Sequence, residues 1–306
     1  MMKKKAYLQV SFAWIFAIIV GGFILFLAIF GVTKFIFTEQ TAQDAEVGKE
    51  IGVLLNPLET GFQTAQSNSM TLPTETRIYN KCRDTGIFGR QIIQISQKSF
   101  NKYTETNIDV GFSNKYIFSE NPVQGKKFYL FSKPFNFPFK VTDLIYITSS
   151  EQDFCFVNPP ENIEDEILEL RQKNLLINNC SKKSTRICFE SWRNCNINVN
   201  YNLKYVEKNN SRIYFEQDAL MFAGIFSDKK TYECHLKRIM QRTKQLAKLY
   251  KDKEIFISNL GCNSNLNLLG LINSVDSFTD SSDLANMNPL VKNIKDENEK
   301  MRCRLW

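Results

Sequence analysis

Hydrophobic and polar positions alternate along this chain in several distinct ways. From Phe12 to Val32 no residue carries a charge, and Ser11 and Thr33 bracket the run. At about 1.5 Å of rise per residue, such a helix reaches roughly 30 Å, the thickness of a bilayer core. It has no polar face, which a helix at the surface of a soluble domain would show. The run is longer than the apolar region of a cleavable secretory signal, and no small-residue cut site follows it. The pattern therefore predicts a transmembrane helix over 6–37. Helical spacing continues through Val47, Ile51, Leu54, Leu55 and Leu58 until Asn56-Pro57 disfavours it. Residues 38–60 read as a helical stalk, kinked near Gly48 or Gly52, or as a linker helix packed on its own domain.

Past the stalk the period changes. Residues 61–86 are polar and read as loop or extended chain. Segments 88–96, 107–113, 126–131, 141–148 and 153–157 are rich in β-branched and aromatic residues and read as strands. Asn158-Pro159-Pro160 then opens a helix over 161–173, followed by a strand at 174–178. The carboxylates Glu161, Glu164, Asp165 and Glu166 crowd its first turns, where the helix dipole favours anions; their spacing is not that of a calcium loop. Strands are predicted at 185–190, 197–207 and 212–216, the last two joined by a turn at Lys208–Ser211. An apolar run at 219–226 precedes a periodic helix at 229–252 and a strand at 253–258. Segments 281–287 and 288–301 have helical character, and Cys303 and Trp306 suggest that the last residues are tied down. Two strand–helix–strand units argue for parallel pairing and the hairpins for antiparallel pairing. The expected class is α+β, with an α/β three-layer core as the alternative. The expected organisation is a basic leader (1–5), the apolar helix (6–37), the stalk (38–60) and one domain (61–306) with a sub-boundary near 217.

Charge changes the picture by giving direction. Lys3, Lys4 and Lys5 precede the apolar helix; Lys34 follows it, then Glu39, Asp44 and Glu46. The positive-inside rule places the N-terminus in the cytoplasm and everything beyond about residue 34 outside. Net charge is +7, but beyond the leader no Lys/Arg block exceeds two residues, so no nucleic-acid interface is expected. The helix at 229–252 carries Lys229, Lys237, Arg238, Arg242, Lys244, Lys248 and Lys251 opposite its apolar stripe. That face is either merely solvated or suited to anionic headgroups.

Eight cysteines all follow the apolar helix: Cys82, Cys155, Cys180, Cys188, Cys195, Cys234, Cys262 and Cys303. An even number on the predicted outer side fits disulfides, and the sequence leaves their pairing open. The closeness of Cys180, Cys188 and Cys195 favours at least one local bridge. Cys234 and Cys262 flank a helix and the strand after it. There is no short Cys-x-x-Cys knuckle, and His235 is the single histidine. Neither a zinc site, nor a Cys–His nucleophile, nor a Ser–His–Asp triad is expected, and no cofactor motif occurs. Asn209 lies in a glycosylation sequon, and Asn179 in a looser match.

Inside the apolar helix, Gly21, Gly22 and Gly31 would let a second helix approach closely in lipid. The opening Lys4-Lys5-Ala6, then Gln9-Val10-Ser11-Phe12, then a long apolar helix resembles the start of archaeal type IV pilin-like proteins. Ala13 or Trp14 stands where that family has a glutamate. The resemblance implies removal of the leader near Ala6 on the cytoplasmic face and packing of the helix into a filament core. The leading expectation is a membrane-anchored cell-surface structural or interaction protein, in its sharper form a pilin-like subunit or accessory factor. Its partners would be the lipid bilayer, copies of itself through the helix, and surface proteins or glycans. An extracytoplasmic ligand-binding or sensor module comes second. A membrane-anchored enzyme using Asp, Glu or Tyr in a pocket comes third.

Overall fold

A computed structural model describes residues 12–54, 66–99, 102–103, 109–190, 194–259, 261–262, 264 and 266–306. The basic leader, Ala6, Gln9–Ser11, the end of the predicted stalk from Leu55, residues 61–65 and the start of the segment expected at 107–113 lie outside them. Helix α1 (Phe12–Leu54) is continuous through Gly48 and Gly52. Within its first 25 residues, Phe12–Ile36, an 18-residue stretch reaches a mean hydropathy of 2.9, and none of the 25 is buried. They are long and apolar enough to cross a membrane.

The rest is α+β, built on two mixed sheets. The first holds β1 (Gln66–Arg83), β2 (Arg90–Ser99), β3 (Lys102–Tyr103), β4 (Val110–Phe112), β5 (Ile117–Phe118), β6 (Val123–Asn136) and β7 (Lys140–Ser149). Its order is β3-β2-β1-β6-β7-β5, with β4 also on β2. The second holds β8 (Phe154–Val157), β9 (Leu175–Ile177), β10 (Thr185–Phe189), β11 (Ile197–Asn200), β12 (Tyr205–Lys208) and β13 (Ser211–Tyr214), ordered β13-β12-β11-β10-β8-β9. The helices are α2 (Glu161–Leu170), α3 (Asp218–Phe226), α4 (Lys229–Ser258), α5 (Leu268–Asp276) and α6 (Leu284–Lys300). Helix α1 runs beside β2 and β4.

Three segments depart from the sequence reading, and in a fourth the structure takes one of two alternatives. The polar stretch expected as loop or extended chain is extended over 66–83, as an 18-residue strand between β2 and β6. Its buried Thr76 and Asn80 find partners within the sheet region, so polarity does not exclude burial there. The strand expected at 197–207 is broken by a turn, in which the Asn200 side chain accepts a hydrogen bond from Leu203 N at 2.8 Å. The apolar run at 219–226 is helix α3, buried along its whole length. An unbroken apolar run has no period, so periodicity cannot separate strand from buried helix. The strand expected at 253–258 is the last turn and a half of α4. No glycine or proline interrupts the chain before Gly261, so the helix simply propagates. The second strand–helix–strand unit is therefore absent, while the first is present as β8-α2-β9 with parallel strands.

The main core gathers both sheets around α3. Leu220, Phe222 and Phe226 meet Phe131 and Tyr146 of the first sheet and Phe154 and Phe156 of the second. Rings of Phe131 and Tyr146 stack at 4.4 Å, and Tyr146 Oη donates to Ala219 O at 2.6 Å. Each buried aromatic contributes roughly 1.5–3 kcal/mol by leaving water. Strand β7 is buried on both faces: Leu144 and Tyr146 face this core, whereas Ile145 and Ile147 join a second cluster with Ile78, Ile93 and Phe128.

The cysteines form four disulfides: Cys82–Cys234, Cys155–Cys180, Cys188–Cys195 and Cys262–Cys303. None is free. Cys188–Cys195 is the expected local bridge. Cys234 ties α4 to β1, and Cys262 ties the stretch after α4 to the final residues.

Candidate functional site

The second sheet creates the most structured crevice. From β8 the chain passes through α2 to β9 on one side, then returns across to β10 on the other. Strands β8 and β10 are parallel neighbours whose connections leave in opposite directions. A crevice opens outside the carboxyl ends of strands at such a reversal. Here it encloses about 670 Å³. Asn158, Pro159 and Pro160 leave β8 into α2; Phe189 and Glu190 end β10; Val199, Asn200, Tyr201 and Asn202 end β11.

Local chemistry explains how these residues are held. Asn158 and Glu190 both adopt left-handed backbone, with φ of 50° and 66°. Asparagine tolerates that region; glutamate does so at a cost of about 1–3 kcal/mol. Asn158 N is fixed by donation to Asn178 Oδ1 at 2.9 Å. Pro160 pre-sets the turn into α2, and its carbonyl accepts from Ile163 N and Glu164 N, both at 2.9 Å. Tyr201 is braced from behind. Its hydroxyl donates to Asp218 Oδ1 at 2.9 Å and accepts from Asn162 Nδ2 at 3.2 Å. Burial, ahead of the neighbouring Asp218, raises the Tyr201 phenol above its ordinary pKa, so it stays protonated. Lys204 Nζ sits 3.8 Å over the Tyr201 ring centroid.

The crevice thus offers side-chain amides, one carboxylate, a tyrosine and two proline rings. Glu190 is the one charged residue among the described lining residues. Such a set can orient a ligand by hydrogen bonds; it pairs no nucleophile with a base. Among the described residues no group of three or more His, Cys, Asp or Glu side chains is placed to hold a metal ion.

A second cleft, of about 540 Å³, lies where β1 meets α4 over the Cys82–Cys234 bridge and is lined by Lys81, Arg83, Lys230 and Lys237 together with Asp84, Asp228 and Glu233. Behind it, Cys234 is bridged and its neighbour His235 is fully buried, which leaves no Cys–His pair. Nothing packs within 4 Å of the Cβ positions of Gly21, Gly22 or Gly31 on α1. Asn209 is exposed at φ 51° in the β12–β13 turn; Asn179 is exposed beside bridged Cys180. None of these sequence candidates lines the crevice. Its residues escaped sequence reading because they converge only through strand order. The one available signal was Asn-Pro-Pro directly after an apolar strand. Compared with models of known families, with characterised proteins and with solved structures, the chain matches none.

Proposed function

We propose that the chain is a cell-surface interaction protein, held in the membrane by α1, with its N-terminus in the cytoplasm and its two-sheet domain outside. One observation carries this reading: a 25-residue apolar helix with no residue buried is joined to a domain in which every cysteine is bridged. Such a helix finds its favourable environment in lipid, and such bridges persist in oxidising compartments. Gly21, Gly22 and Gly31 would let a second copy of the helix approach closely, in the manner that the pilin-like start implies. The crevice favours a ligand-receptive role for the domain in the same placement.

Proteinase K treatment of intact cells expressing the full chain tests this. The expected result is loss of the domain while a membrane-embedded N-terminal fragment resists alkaline carbonate extraction. Mass spectrometry of that fragment reports whether the leader is cut near Ala6. A domain protected until the cells are lysed, or a chain released by carbonate, would refute the placement.

A further inference from the structure

We infer that the crevice at the carboxyl ends of β8, β10 and β11 is a binding site for a neutral carbohydrate. The inference rests on reading that crevice as a ligand site and is independent of where α1 lies. Its volume, about 670 Å³, falls in the range of small-molecule sites, roughly 300–1,000 Å³.

The chemistry of the walls selects the ligand class. Sugar hydroxyls both donate and accept, and the groups that match them are planar amides and carboxylates, which present donors and acceptors at fixed angles. Asn158, Asn202 and Glu190 supply these, and all three are exposed to an incoming ligand. A pyranose also has an apolar C–H face. Pro159 and Pro160 offer flat apolar surface to it, next to Tyr201. The Tyr201 ring is held in place by Asp218 and Asn162, so its orientation is set before any ligand arrives.

Charge argues against the main competitor, a phosphate. The N-terminus of α2 carries a partial positive charge, but its first turn brings Glu161 and Glu164, and Glu190 stands at the end of β10. Among the described lining residues an anion would meet the Glu190 carboxylate and no lysine or arginine. Hydrolysis of the sugar is not implied. Glycosidases flank the scissile bond with two carboxyl groups, and the described lining holds one. The site binds.

The test uses the full chain in a detergent without a sugar headgroup. Calorimetric titrations would run with chitotriose, mannotriose and maltotriose as neutral probes, spermidine as the cation and sucrose octasulfate as the anion. The expected result is saturable binding of at least one neutral trisaccharide. Asn202→Ala and Glu190→Gln should each weaken it about tenfold, while Lys248→Ala on the exposed face of α4 leaves it unchanged. Disulfide mapping of each variant guards against misfolding. If spermidine or the sulfated sugar binds instead, with the same dependence on Glu190 and Asn202, the crevice is a ligand site and the carbohydrate assignment is wrong. Both fall if no probe binds, or if a sugar binds equally well to all variants.

Discussion

Arg238 is a heavily committed side chain. It is 1% exposed and donates to the carbonyls of Phe88 and Lys115 at 3.0 Å each and of Ser113 at 3.1 Å. It thereby fixes two loops of the first sheet to α4. Gly89 is obligatory beside it: at φ +57°, an added Cβ would lie 2.4 Å from Arg83 O and 2.8 Å from Arg238 Cγ. Sequence periodicity put Arg238 among the wet lysines, one residue from Lys237. A helical wheel has no means of seeing that loops from another sheet close over one position. Arg238 also sets the state of His235. Arginine only donates, so His235 Nδ1, 2.9 Å away, accepts, and the imidazole carries its proton on Nε2. Burial first, and then the Arg238 charge, hold the His235 pKa well below 6.5. The unfolded chain therefore takes up a proton before the folded one does. This contribution to stability is complete above pH 6.5 and is lost as pH falls below it, by up to about 1.4 kcal/mol per unit. Urea unfolding of the wild type and of His235→Gln at pH 7, 6 and 5 isolates the effect. The stability advantage of wild type should shrink steadily toward pH 5. An advantage that stays constant across that range would mean that His235 titrates normally in the fold.

At the scale of elements, the second sheet covers its outer face in an unusual way. Parallel strands ordinarily return through a helix, in connections of a dozen or more residues. Here the returns from β9 to β10 and from β10 to β11 occupy only 178–184 and 190–196. Phe154, Phe156, Ile187 and Phe189 face the core, so Cys155 and Cys188 between them point to the opposite face. Cys155 is bridged through Cys180 to the return that passes β8 on its way from β9 to β10, and Cys188 through Cys195 to the return of its own strand. The disulfides stand where crossover helices would. Chain-entropy arguments scale their contribution with the loop closed, here 25 and 7 residues of separation. Replacing Cys155 and Cys180 together by alanine should destabilise the fold by about 3 kcal/mol, and replacing Cys188 and Cys195 by ~1 kcal/mol less. Equilibrium denaturation of both double variants measures this. Two variants as stable as wild type would show that hydrogen bonding alone holds the returns. The first strand–helix–strand unit was legible because Pro159-Pro160 punctuates it and Ile163, Ile167 and Leu170 keep a clean period. The short, disulfide-bridged returns were not, since the pairing of eight cysteines is a property of the folded topology.

Across the whole molecule, the core is closed from residues far apart in the chain. The cluster around α3 runs from Tyr116 to Leu305. Its last contributors are buried Leu305 and half-buried Trp306. Leu305 is fully buried, and its backbone N donates to Asn298 Oδ1 at 2.8 Å. Lys253 Nζ donates to Leu305 O at 2.6 Å. The Trp306 ring meets Phe139 at 5.3 Å and Tyr250 at 5.0 Å, joining the β6–β7 turn to α4. Cys303 adds the bridge to Cys262. A terminal Cys and Trp in the sequence hinted at this tether, but not at its target, because Phe139 and Tyr250 come from different elements. Deleting 303–306 removes a buried leucine, about 2–5 kcal/mol, and a disulfide of similar size. Contributions within one cluster do not add, so the expected loss is at least ~4 kcal/mol, a fall in Tm of about 8 °C or more for a domain of this size. Cys262→Ala/Cys303→Ala, which keeps Leu305 and Trp306, should lose clearly less. Calorimetry of the truncated chain, the double variant and the wild type separates packing from cross-linking. If truncation and cysteine replacement lower Tm equally, Leu305 and Trp306 contribute nothing beyond the bridge, and closure of the core by these residues is disproved.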